Sequence, residues 1–469
     1  MINVQKYKIT VDLFKMANKT GENISLTKWL GENDSIHVSK DIEQTCGAFT
    51  MAFPDKPGGQ RNDTLYAMIE PMDLIEIRAA REGWKYPGTA PLPLIMRGFV
   101  SSVRRSETMS SEGPVRIVKI SGHDAGKLWM ITNFDVQYVV AMEHPAIEKF
   151  YFQAAVGMSS TYLPVSKFME EVTKIVMNKK VNDLNAISTT DFQPFKVDAT
   201  VNEGSVSPGP VSIFTGAYWN LINQFSDRPW NELFIADIGD VGKEVATVIF
   251  RPSPLVDLDG ARIMPGATDP GSVTVQQKDL ISLEIGRSDS RVANIFWVPA
   301  EGSSLEHNHQ VTIAQTANGG MLDLNHDAND HRIFGLKRIS AASALVHTDI
   351  AELPAKQEPT ERSVSSGKYE QWYITRRDQL KMLMRDNSVW EEGTATIKGD
   401  FKYKPGMFVR INRGPLEYEF YCSAVTHTFT PMRDWKISLN LVRGNCFKVR
   451  QKFDAPFFEE GRDSPYTQR

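Results

Sequence analysis

Cysteine is scarce: Cys46, Cys422 and Cys446 are the only three in 469 residues. That is too few, and odd in number, for a disulfide framework, so folding in a reducing cytoplasm is the simpler expectation. Charge of one sign is missing too. Against 57 Asp and Glu stand 53 Lys and Arg, a formal net charge of −4, which argues against a nucleic-acid binder held by a general basic field. No apolar run approaches the roughly 18 uninterrupted residues of a membrane span. The start, Met1 to Lys8, has no long apolar core, so neither export by a signal peptide nor membrane insertion is expected.

Catalytic patterns are also lacking. There is no Gly-x-Ser-x-Gly elbow, and Cys46 has no histidine partner that the sequence argues for. Gly239 to Lys243 carries two glycines and a lysine but has the wrong spacing for a phosphate loop and is followed by Glu244. Glu170 and Glu171 are adjacent; on a helix they point about 100° apart and cannot flank one bond, so they read as a solvated face. His307 and His309, then His326 and His331, fall in a polar stretch at spacings of two and five, unlike the helical His pair of zinc proteases. Surface histidines are the better reading, with a transition-metal site as the sharper rival. Asp327, Asn329 and Asp330 resemble part of a calcium loop but lack its central glycine and distal glutamate. Asp257 to Gly260 reads as an Asx turn. No catalytic, cofactor-binding or metal residue is assigned, and the protein is expected to hydrolyse neither peptidoglycan nor nucleotides.

What is present is β-pattern, given twice. About 41% of the residues are hydrophobic, enough for large cores and roughly two to four domains. Near the N-terminus a turn at Pro71-Met72 leads into Asp73–Arg78, then Leu94–Val103, a polar turn from Ser106 to Gly113, and Val115–Ser121. Near the C-terminus Pro405-Gly406 leads into Met407–Asn412, then Tyr418–His427, a turn, and Trp435–Val442. Both blocks alternate apolar and polar residues. Further strands are expected at Ser35–Ser39, Ala48–Phe53, Glu232–Asp237, Val245–Phe250, Leu280–Ile285 and Val292–Val298. Helical spacing predicts helices at 144–153, at 164–177 with Val165, Phe168, Val172 and Val176 as its stripe, at 210–225, and at 368–390 with Tyr373, Leu380, Leu383 and Met384 packed. The fold class is therefore mainly β with an α connector. Residues 1–130 form a first tube-like β-barrel, 131–226 a helical connector and 227–298 strands of a second barrel. Residues 299–392 hold a polar insertion, read as long loops over 299–367, and a helix; 393–452 complete the second barrel and 453–469 form a flexible tail.

The segments Arg228–Phe234, Val245–Pro254 and Ile285–Val298, followed by Gly393–Asp400, Lys404–Ile411, Ala424–Phe429 and Trp435–Gly444, in this order resemble the baseplate hub proteins of bacteriophage tails. The N-terminal block ending in Ile120–Gly126 is similar to the first barrel of that family. The resemblance implies a structural, non-enzymatic virion protein assembled in the host cytoplasm. It implies a homotrimer in which two barrels per chain give six similar positions, joining a six-fold tail tube protein to a three-fold central spike protein. Tape measure and baseplate wedge proteins are further partners of such a hub, and DNA passes through its channel without specific binding. With a net acidic chain, a neutral to negative channel lining is expected. Two rivals stay open: the hub segment of a related contractile injection machine, and a metal-dependent peptidoglycan hydrolase using the His cluster.

Overall fold

The computed structural model describes residues 7–16, 23–31, 35–55, 57–58, 63–88, 90–110, 113–135, 163–188, 192–206, 215–299, 305–345, 359–413 and 416–445. Among strands of four residues or more, the N-terminal part supplies β1 (Lys8–Phe14), β2 (Ser35–Asp41), β3 (Ala48–Pro54), β4 (Leu74–Ala80), β5 (Leu94–Ser110) and β6 (Gly113–Asp124). The middle supplies β7 (Lys196–Ala199), β8 (Asn231–Ile238), β9 (Val245–Pro252), β10 (Ser272–Val275) and β11 (Leu280–Gly286). The C-terminal part supplies β12 (Glu391–Lys398), β13 (Met407–Arg413), β14 (Leu416–Thr430) and β15 (Asp434–Asn445). The helices include α1 (Val165–Val172), α2 (Tyr218–Gln224), α3 (Leu305–Thr316) and α4 (Pro359–Met384). The chain is thus a β-rich α+β protein.

Hydrogen bonding unites the two strand blocks in one sheet, ordered β11-β12-β15-β14-β2-β3-β6-β5-β4-β1, with β13 also on β14 and β10 on β13. The seam is β14 against β2, where Thr426 faces Ser39 and Thr428 faces His37. No closed barrel forms among the described residues, and the two blocks share a single apolar core in place of the two separate cores that two barrels predict. Val11, Val38, Phe49, Ile77, Val118, Ile397, Val409, Phe420 and Leu439 all lie in it. The inward row across the seam runs Ile397, Ile437, His427, Val38, Phe49 and Gly122. A Cβ at Gly122 would stand 2.3 Å from the Phe49 ring, so glycine here is what lets β6 approach β3. His427 survives in this row as a neutral ring: burial pushes its pKa down to about 3, and Trp435 donates to its Nδ1 at 3.3 Å.

A second core gathers the helices and the β8–β9 hairpin. Val165, Phe168, Val172 and Val176 are buried there as the stripe predicts, as are Tyr373, Leu380 and Leu383, with Met384 half-buried against them. The α1 helix runs on through a wider π turn, Thr173–Met177, into Asn178–Ile187, and α4 starts well before the expected boundary. Of the expected helix at 210–225 only Tyr218–Gln224 is helical among the described residues; the one at 144–153 and the tail lie outside them.

The polar stretch differs from the expected long loops. It contains α3, whose Gln315 is buried and bonds both the N–H and the C=O of Val298, at 3.1 and 2.8 Å, while Val311 packs into the core. Burial of one amide with both its needs met lets a weakly patterned helix dock. The polar turn 106–113 is also corrected: β5 and β6 continue as a ladder to Ser110 and Gly113.

Candidate functional site

The two blocks repeat a meander in which the middle strand carries a bulge. In β5 the register shifts between Val100 and Ser102; in β14 it shifts between Cys422 and Ala424. Before each bulge the middle strand pairs with the strand preceding it, β4 in one block and β13 in the other. After the bulge at Ser423, that same edge of β14 turns to β2 and forms the seam. After the bulge at Ser101, the equivalent edge, Ser102–Ser110, has no strand partner among the described residues, and Arg104 to Met109 are exposed. At one end of the sheet β11 pairs with β12 alone, with Ile281, Ser282 and Glu284 exposed. Unpaired edges are templates for another strand.

The face opposite the core is polar and open. One row crosses seven strands as Lys398, Lys436, Thr428, His37, Thr50, Ser121 and Ser102, and a neighbouring row runs Thr396, Ser438, Thr426, Ser39 and Ala48. All are exposed or half-buried. Hydroxyls dominate, and the charge at the row's end is positive, from Lys398 and Lys436, with Lys119 and Arg104 paired on the adjacent row. Asp434, which pairs with Lys436 at 2.6 Å, and Asp41 on β2 offset part of this charge on the same face.

The β8–β9 hairpin is fixed to the sheet by ion pairs: Lys40 to Asp237 at 2.7 Å, Arg78 to Glu244 at 3.2 Å and, within the hairpin, Arg251 to Glu232 at 3.1 Å. Glu232 also accepts from the Tyr421 hydroxyl at 2.6 Å, and Arg251 donates to the Gly406 carbonyl at 2.6 Å. Beside this junction Asp124 is buried, its two oxygens accepting from Gly47 and Gly126 at 2.8 and 2.9 Å. Burial pushes its carboxyl up to about 6, the Lys40 charge opposing. A raised folded pKa favours the protonated form, so this stability is fully present below about pH 4 and lost as pH rises through 6, a change of about 3 kcal/mol. We expect urea titrations to show that fall between pH 4 and 7, and Asp124→Asn to flatten it; an unchanged pH slope in the variant refutes the assignment.

The residues singled out by their chemistry are placed as follows. His309 is exposed on α3; the His307 side chain lies outside the described residues. His326 contacts Asp386 at 2.8 Å and His331 the Leu324 carbonyl at 2.9 Å. Asp330 caps the short helix His331–Phe334 and pairs with Arg332, while buried Asn329 bonds the Ala293 carbonyl at 2.8 Å. Asp327 belongs to the intervening turn. No group of three or more His, Cys, Asp or Glu able to hold a metal ion occurs among the described residues. Asp257 forms the expected Asx turn, accepting from Asp259 and Ala261. The glycine loop 239–243 is a hairpin turn, and Gly242 donates to the Glu244 carboxylate at 3.0 Å, which puts an anion where a phosphate would have to sit. Glu170 is exposed on α1 with Glu171 half-buried beside it. Cys46 and Cys422 are buried, and burial pushes each thiol up to about 12, so neither is a ready nucleophile.

No family model matches the sequence, and no curated protein does. Among solved structures the chain is similar to a tail protein of Neisseria meningitidis, at 11% identity over 93% of this chain and 96% of that one, TM-score 0.46. It is similar to the 43 kDa tail protein of prophage MuSo2 from Shewanella oneidensis, at 12% identity over 93% and 97%, TM-score 0.46. A component of the type VI secretion system of E. coli aligns at 8% identity over 93% of this chain and 76% of that one, TM-score 0.41. The structural neighbours are thus phage tail and baseplate proteins and a component of the type VI secretion system.

Proposed function

We propose that this protein is the structural hub of a phage tail baseplate, a homotrimeric adaptor between the six-fold tail tube and the three-fold central spike, with its open hydroxyl-rich face lining the DNA channel. The observation that carries the reading is the repeated meander with its unequal edges. Within one chain the edge following one bulge is filled by β2. If three copies close a ring, the edge following the other bulge is filled by β11 of the next copy, and two similar meanders per chain yield six similar positions. Closed cyclic symmetry uses up both of these edges without open-ended growth. Matching the seam residue by residue brings Ser106 opposite Glu284 of the neighbour, as Thr428 lies opposite His37, and leaves Arg104 and Glu284 to complement each other in charge. A hydroxyl-rich lining with few cations lets duplex slide without a large release of counterions. Tail tube, spike, tape measure and wedge proteins are the proposed partners, and no chemistry is assigned to the chain.

The test is a pair of cysteines, S106C with E284C, oxidised in the presence of the spike. We expect dimer and trimer bands on a non-reducing gel from the double variant and from neither single one, a native mass of three chains, and no tight duplex binding at physiological salt. A two- or six-chain mass, or only monomer bands from a correctly folded double variant, refutes the ring.

A further inference from the structure

A small sheet flanks the second core, with the short strand Ile295–Trp297 at its centre. On one side Arg338–Ser340 pairs with it in parallel; on the other Leu322 bridges Ile295, and Phe296 donates to the Met321 carbonyl at 2.9 Å. Strand alternation sorts the side chains. Phe296 is fully buried in the second core and its partner Ile339 packs against that core, so Ile295, Trp297, Leu322, Arg338 and Ser340 occupy the opposite face. Ile295, Trp297 and Leu322 belong to no core. Leu322 is 39% exposed, and on the segment entering the outer strand Leu336 and Ile333 are 68% and 72% exposed. A single exposed aliphatic needs no explanation, but several beside one sheet face mark an interaction surface.

This surface is held in place from within. Fully buried Asn294 donates to the Asn329 and Gly335 carbonyls at 3.0 and 2.7 Å and accepts from the Lys337 N–H at 2.9 Å, which pins the loop carrying Ile333 and Leu336. A partner therefore meets side chains whose backbone is already ordered. Two features define that partner. Arg338–Ser340 is an edge: besides Ile295–Trp297 it has no strand partner among the described residues. Its inner groups are spent on that neighbour, the Lys337 carbonyl on Ile295 and the Ala341 N–H on Trp297, so the backbone of Arg338 and Ser340 faces outward, where a strand can add. The second feature is charge. The Arg338 guanidinium lies over the Trp297 ring, 5.6 Å from its centre, and has no carboxylate partner among the described residues, whereas Arg332 is taken by Asp330. A stacked guanidinium keeps its N–H edge for a carboxylate.

We propose that the Arg338–Ser340 edge takes up, as an added strand, an extended segment of another polypeptide that carries a carboxylate between two apolar side chains on one face. The carboxylate meets Arg338, and the apolar side chains lie toward Leu336 and Trp297. The site goes beyond the hub reading and stands whether or not that reading holds.

Saturation-transfer NMR on the full chain, with the capped peptide Thr-Val-Thr-Glu-Thr-Val-Thr in excess, tests it. We expect a saturable signal with a midpoint at about 0.1–1 mM, as a short edge supports. Binding should weaken at least about tenfold when the peptide's Glu is replaced by Lys or its central amides are N-methylated. Arg338→Glu should reverse the preference between the two charged peptides, and Leu336→Ser, at an exposed position, should raise the midpoint about fivefold. Neither variant touches the β5 or β11 edge, so binding there would be unchanged in both. Vesicles of phosphatidylglycerol that sediment the wild type but not Leu336→Ser would assign the face to a membrane, and a native mass that falls in Leu336→Ser would assign it to a second copy. Either result overturns the proposal, as does no saturation up to about 5 mM, equal binding of the Glu and Lys peptides, or an unchanged midpoint in both folded variants.

Discussion

Val409→Asp is expected to abolish cooperative folding. Val409 is fully buried on β13, opposite Phe420 on β14 and beside Val273 on β10, in the core that both strand blocks share. A carboxylate there would sit among the apolar side chains of that core, and desolvating it costs more than about 4 kcal/mol, a large part of the stability of an ordinary domain. Val409→Ala, which only opens a cavity, should cost about 2–3 kcal/mol. The next residue tests the parity of the strand: Arg410 is exposed and pairs with Glu419, so Arg410→Ala should cost under about 1 kcal/mol. Urea unfolding of the three variants decides it. If Val409→Asp is tolerated as well as Arg410→Ala, the inward face of β13 has been misassigned.

That parity was legible in the sequence, because a period of two reports which side chains meet a core. The strands beginning near Leu74, Val245, Met407 and Trp435 are close to their expected bounds for this reason. Lys8–Phe14 carried the same alternation, with Val11 and Leu13 buried, yet its position ahead of a polar stretch disguised it. The seam between β2 and β14 was not legible at all. Its partners lie nearly the whole chain apart, and no local pattern records which edge will meet which. Likewise Asn231, Arg376 and Gln379 are polar positions on β8 and α4, where a sequence reads solvent; only the Trp230 and Trp372 rings closing over Arg376 reveal that it is buried. Helix α3 escaped for the opposite reason. Among its described side chains only one valine and one glutamine are buried, too few to make an apolar stripe.

The hairpin β8–β9 is where the two cores are tied together, and it provides the second large effect. Arg251 reaches across the junction to the Gly406 carbonyl and holds Glu232, while Tyr421 of β14 bonds the same carboxylate from the other side. Burial pushes the Glu232 carboxyl up and the Arg251 charge pulls it back, so the pair is stable only as a unit. Arg251→Met strands that carboxylate in the interior and is expected to cost about 3–5 kcal/mol, whereas Arg251→Met with Glu232→Gln should recover a large part of the loss, because no unpaired charge remains. Tyr421→Phe removes one bond to the carboxylate and should cost about 1.5–3 kcal/mol. The double-mutant cycle measured by urea titration separates the pair from its surroundings. A coupling below about 0.5 kcal/mol would mean that the hairpin is held by its apolar contacts, Phe234 and Ile249 against Phe408 and Tyr421, and that the ionic junction only fixes its position.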